Sequence, residues 1–136
     1  MKSRAIAVVP IAEGAMPKRS KPVSLTPKSK TYLESQGYLV GRTEHWNSFA
    51  NIRQDLFGFI DLLAIKDTGP IGKIVAVQVT SRGNISSRVR KIKLSPHYTV
   101  LVKAGVIVVV HGWDKDGKRW RLKEVTVDET PWQEFT

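Results

Sequence analysis

Two polar side chains sit inside otherwise apolar runs. The segment Phe57-Gly58-Phe59-Ile60-Asp61-Leu62-Leu63-Ala64-Ile65 carries one carboxylate, Asp61, and Val75-Ala76-Val77-Gln78-Val79-Thr80-Ser81 carries one amide, Gln78. A carboxylate buried in a strand is costly unless it is paired or bound to a metal. A buried amide likewise needs a hydrogen-bond partner. Two neighbouring strands, each with one such residue, are therefore expected to bring the two side chains together. Alternation along a strand puts Gln78 and Thr80 on one face, with Val77 and Val79 on the other. Asp55 is a third acid nearby, but six extended residues span about 20 Å. If the segment from Asp55 to Asp61 is extended, the two cannot share a ligand, and Asp55 is expected to cap a turn or open the strand.

The elements that must position these residues can be read from period and punctuation. A helix is expected from Pro27 to Gln36, with Thr26 as N-cap and Gly37 as stop. Tyr38–Trp46 reads as a strand, Asn47–Gln54 as a polar connection and Leu56–Ile65 as a near-continuous apolar strand. Ile74–Thr80 is a valine-rich strand, Asn84–Leu94 a basic helix closed by Pro96, and Ala104–Trp113 a further strand. Arg119–Val127 is its hairpin partner, with Asp116-Gly117 as a two-residue turn that sets Trp113 opposite Trp120. The stretch 1–28, with Pro10, Pro17, Pro22 and Pro27 and the cluster Lys18, Arg19, Lys21, is expected to be a flexible basic tail, leaving 29–136 as one domain. Met16 offers a second start codon position.

Composition narrows the partner. Lys and Arg total 22 against 12 Asp and Glu, a net charge of +10, which favours a polyanion such as DNA or RNA. The absence of cysteine excludes disulfides and thiolate zinc sites and fits a reducing compartment. No apolar run approaches the roughly 20 residues that span a bilayer, so no membrane role is expected. The apolar stretch Ala5–Ala12 is short, contains Pro10 and meets Glu13, which argues against a signal peptide. His45, His97 and His111 lack metal-ligand spacing and are expected to be structural. No phosphate-cradling glycine loop and no Ser-His-Asp arrangement stands out.

The pair of strands carrying Asp61 and Gln78 resembles the PD-(D/E)xK nuclease superfamily, in particular its small phage, Holliday-junction-resolvase-like and VRR-NUC-like members. The resemblance covers Lys28 to Val127 and rests on a short motif. It implies a restriction-endonuclease-like α/β fold, a mixed sheet flanked by helices in the order α-β-β-β-α-β-β. It also implies that Asp61, Gln78 and the carbonyl of Val79 ligate magnesium or manganese, which suit oxygen donors. The reaction implied is metal-assisted hydrolysis of phosphodiester bonds in DNA, branched or single-stranded, by a cytoplasmic protein of a bacterial or phage-infected cell, with a homodimer as the common assembly. Glu44 and Glu34 compete for the family's additional acid. Gln78 brings no charge where many members have Glu, and Thr80 stands where Lys is expected.

Arg82, Arg88 or Lys93 is left to replace that missing cation. The segment after Thr80 adds Arg82, Asn84, Arg88 and Lys91 as candidate phosphate contacts at a helix N-terminus and along its face. Two other readings stand beside the nuclease. One is a non-catalytic nucleic-acid-binding relative, and the other a small basic β-rich module such as a barrel.

Overall fold

The computed structural model describes residues 3–10, 24–69 and 72–128. Its centre is a six-stranded mixed sheet. The strands in chain order are β1 (Ser3–Pro10), β2 (Leu39–Arg42), β5 (Leu62–Lys66), β6 (Lys73–Ser81), β7 (Ile107–Asp116) and β8 (Arg119–Val127), and between β2 and β5 the short strands β3 (His45–Asn47) and β4 (Ile52–Gln54) form a separate hairpin. The sheet order is β1-β8-β7-β6-β5-β2. Only β6 and β7 run parallel, joined across one face by α2 (Ile85–Leu94) and α3 (Pro96–Lys103). The other face carries α1 (Thr26–Ser35). The sheet is open at β1 and β2, so the barrel reading is not met.

Each face buries its own apolar cluster, as strand alternation requires. Leu62, Ala64, Val75, Val77 and Val109 pack with Leu33 of α1. Ala76, Val108, Val110 and Val125 pack with Val89 and Ile92 of α2 and Tyr98 of α3. Burying such side chains is worth about 1.5–3 kcal/mol each. This fixes the strand register and, with it, the face on which Gln78 and Thr80 emerge.

Several elements depart from the sequence reading; the strand expected over Tyr38–Trp46 divides into β2 and β3, and the one expected over Leu56–Ile65 begins at Leu62. Residues 3–10 were expected in a flexible tail; instead Ser3–Pro10 pairs antiparallel with β8, giving that strand a partner on its second edge. The rest of the expected tail up to residue 23 lies outside the described residues. Pro96 does end α2, but it also starts α3. Ser95 Oγ accepts from His97 N at 3.2 Å, and proline suits a first helical position because no N–H is needed there. The polar connection Asn47–Gln54 is largely the β3–β4 hairpin. Finally, Gly117 and Lys118 form the β7–β8 turn, Gly117 with φ +65°, so Asp116 faces Arg119 and Trp113 faces Leu122. Pairing slips by two residues, which leaves every side chain on its expected face but separates the two tryptophans. Trp120 instead takes Lys28 Nζ at 4.6 Å and Lys115 Nζ at 5.1 Å over its ring.

A buried polar chain holds α1 on the sheet. Trp113 Nε1 donates to Ser29 Oγ at 2.8 Å, Ser29 Oγ lies 2.9 Å from His111 Nδ1, and His111 Nε2 lies 2.8 Å from Glu124 Oε2. Ser29 and His111 are wholly buried. With Nε2 facing a carboxylate, the neutral ring carries its proton there, and Ser29 donates to Nδ1 while accepting from Trp113. Ser29→Ala removes both contacts and leaves two buried groups unpaired. Its expected cost is about 1–3 kcal/mol, read as a lower urea midpoint at unchanged slope. By contrast, Lys30→Ala, which breaks an exposed pair with Glu34, is expected to cost at most about 0.5 kcal/mol.

Candidate metal centre

Asp61 lies just before β5. Its backbone N–H donates to Val77 O at 2.8 Å, and its carbonyl accepts from Thr43 N at 3.0 Å. Thr43 Oγ1 also bonds Ile60 O at 2.6 Å. The main chain is therefore clamped between β6 and the segment after β2. The side chain is fixed as well: Asp61 Oδ2 accepts from Val79 N at 2.7 Å. Because Leu62 pairs with Val77, Asp61 stands next to Gln78 across the two strands, and the side chains of such neighbours share a face. Asp61, Gln78, Val79 and Thr80 line one cleft of about 930 Å³. Asp61, Gln78 and Thr80 are each buried, and Gln78 Oε1 has no hydrogen-bond partner.

Asp55 joins them, against expectation. The segment between Asp55 and Asp61 is not extended. Leu56 and Ile60 bridge each other across a tight turn, with Phe57 at φ +55° and Gly58 at φ +85°. Gly58 N bonds Asp55 O at 3.0 Å, and Ile60 N bonds Leu56 O at 2.9 Å. A phenylalanine at positive φ costs about 1–3 kcal/mol. The next two residues, Phe59 and Ile60, are fully buried in the α2–α3 cluster and offset that cost. Gly58 was the visible signal for the turn.

Glu44 completes the cluster: one ligand oxygen from each of Glu44, Asp55 and Asp61 lies within 4.8 Å of the others. Of the two competing acids, Glu44 is the one that lies in this cluster. Glu34 pairs with Lys30 at 2.8 Å on the solvent side of α1. The Glu44 side chain is 6% exposed and is held by Arg42 at 3.4 Å and Arg53 at 3.5 Å.

The cations are distributed differently from the sequence reading. Asn84 and Arg88, at the start of α2, line the cleft, as does Arg53, which sequence reasoning did not single out. Lys91 lines an adjoining recess of about 590 Å³ together with Arg53 and Asp55. Arg82 is drawn away, to Asp114 at 3.7 Å. Asn84 occupies the N-cap position of α2 without capping it, and its amide donates to Ser81 Oγ at 2.9 Å. None of the three histidines belongs to the acidic cluster. Ser29, His111 and Glu124 do stand in the order of a hydrolytic triad, but Ser29 is sealed in the core and cannot reach a substrate.

No family model, curated protein or solved structure matches the chain.

Three carboxylates and an amide oxygen are hard donors suited to magnesium, manganese or calcium. Without a cation the arrangement is strained electrostatically. Burial pushes the Asp61 carboxyl up to about 7, and its hydrogen bond with Asp55 and the Asp55 and Glu44 charges add to this, while the Val79 N–H acts in the opposite sense. In the unfolded chain the group titrates near 3.8. Between these values the folded state holds a proton that the unfolded state has lost. Metal-free stability is therefore expected to fall as pH rises from about 4 to 7, by at most about 4 kcal/mol, and then level off. Thermal melts in chelator across this range check it. Asp61→Asn, which keeps an acceptor for Val79 N, is expected to flatten the curve and to melt higher than wild type at pH 8.

Proposed function

We propose that this chain is a metal-dependent nuclease of the PD-(D/E)xK type that hydrolyses phosphodiester bonds in DNA. The observation that carries the reading is Gln78 Oε1, a buried oxygen without a partner, lining the same cleft as three clustered carboxylates. A buried acceptor of this kind calls for a ligand. A divalent cation would satisfy it and relieve the crowding of Glu44, Asp55 and Asp61 together. Element order supports the reading too. With β1 and the β3–β4 hairpin set aside, the chain runs helix, three strands, helices and two strands.

Asp61, Asp55, Glu44 and Gln78 would hold the ion. When bound, magnesium or manganese polarises a phosphoryl oxygen and lowers the pKa of an attacking water. The rest is carried by the protein. The Val79 N–H fixes the carboxylate of Asp61, so that it is aimed before a substrate arrives. Arg88 and the first turn of α2 supply positive charge for the phosphate, as helix N-termini do. Arg53 contacts Glu44 at 3.5 Å and, unlike Arg42, lines the cleft. It is the best candidate to replace the Lys absent at Thr80.

The second reading, a non-catalytic nucleic-acid-binding relative, is favoured by Thr80 itself. It is buried at the cleft and carries no charge to orient water or stabilise a leaving group. The two readings divide on one experiment. The nuclease reading expects cleavage of single-stranded, duplex or branched DNA with manganese or magnesium, with Asp61→Asn reducing the rate by about 100-fold or more. Manganese should also raise the melting temperature of wild type, more at pH 8 than at pH 5, and Asp55→Asn should blunt the rise. Salt-dependent DNA binding that survives Asp61→Asn and needs no metal, without cleavage, would support the second reading. Absence of both cleavage and manganese-dependent stabilisation would rule out the metal centre.

A further inference from the structure

The β3–β4 hairpin is a small element with too much exposed apolar surface for its size. Trp46 is 57% exposed, Phe49 fully exposed and Ile52 49% exposed. Its turn is internally braced: Asn47 Oδ1 accepts from Phe49 N at 3.0 Å and from Ala50 N at 3.1 Å, and Asn51 sits at φ +60°. The tip is held in a defined shape that presents Phe49 outward, at no gain to the core.

The orientation of the hairpin relates it to the acidic cluster. Trp46 pairs directly with Arg53, so both side chains lie on the same face. Arg53 reaches back to Glu44 at 3.5 Å and lines the cleft that holds Asp61. Trp46 therefore shares the face of the hairpin from which Arg53 reaches Glu44, two residues along the chain from that acid. The segment from His45 to Gln54 contains a cation, Arg53, and no acid. An exposed indole paired with an arginine, at the edge of a cleft that also holds Arg88, matches a nucleotide whose base is free to stack. In a duplex both faces of each base are already stacked, so the indole has nothing to engage.

We infer that Trp46 and Arg53 form a stacking shelf for an unpaired DNA nucleotide next to the phosphate in the cleft, with Phe49 extending the platform, so that the protein selects single-stranded over duplex DNA. This rests on the nucleic-acid reading above and names its substrate class.

Binding in chelator separates the shelf from the chemistry. The full chain is titrated into fluorescein-labelled twelve-residue oligothymidylate, the same length of mixed-sequence duplex, and oligouridylate, with anisotropy as the readout. Wild type is expected to bind the oligothymidylate at least about ten-fold tighter than the duplex, given the usual strength of base–aromatic stacking. Trp46→Ala should remove most of that preference, Trp46→Phe should restore it, and duplex binding should be unchanged in both. Phe49→Ala, at a fully exposed position, provides the same test with no risk to folding, with a smaller loss expected. Equal wild-type affinity for single strand and duplex, or an intact preference in both alanine variants, overturns the shelf and leaves the metal centre standing. Tighter binding of oligouridylate overturns the assignment to DNA. No binding to any of the three overturns the shelf and the nucleic-acid reading together.

Discussion

The candidate site depends on keeping one carboxylate buried at the margin of a sheet. Asp61 is held by its backbone on both sides and by the Val79 N–H at its side chain, and it faces two further acids across a short gap. Left alone, such a group is a liability, since burial and like charge both disfavour its ionised form. Sequences keep this kind of arrangement where a cation or a proton is part of the work. Around it the protein is strongly basic, and two arginines contact Glu44 directly. The net charge attracts polyanions, and a cation bound among the three carboxylates would remove the local repulsion that a phosphate meets there.

Much of this was legible in the residues. Asp61 and Gln78 stood out because each broke an apolar run, and the strand period then settled their common face. The helix α1, the basic helix α2 and the valine strands followed from period and from glycine and proline punctuation, to within a few residues. What escaped was whatever depends on chain reversal or on distant neighbours. Asp55 escapes because an apolar run reads as extended, whereas Phe57 and Gly58 fold this one back on itself. Arg53 looked like part of a polar connection because strands as short as β3 and β4 show too little alternation to recognise. Strand β1 was hidden because its partner lies at the far end of the chain, and no local pattern reports such a pairing. The β7–β8 turn was placed one residue early, since Asp-Gly and Gly-Lys both suit a tight reversal.

The polar groups of this protein divide into two sets that sequence alone does not separate. Ser29, His111 and Glu124 have the chemistry of a hydrolase but spend it on one another, with Trp113 taking the remaining valence of the serine. Asp61 is held by the Val79 N–H, and Gln78 keeps one oxygen that remains unmatched. Satisfaction, not residue type, distinguishes scaffold from site here. The scaffold network sets α1 against β7 and β8, and the residues just before α1 form a wall of the cleft.

The pairing of β1 with β8 has a consequence for how the molecule is made. Ser3 faces Val125, so β1 leaves the ribosome before β8 and must wait for it before it finds its place. Until then an edge with unmatched amides is carried through synthesis, open to pairing with another nascent chain. The remaining five strands have their partners within the stretch from β2 to β8 and can assemble without it. Closure of the sheet is thus a late, long-range step, slow by virtue of the loop it must close, and separate in time from the assembly of the acidic cluster.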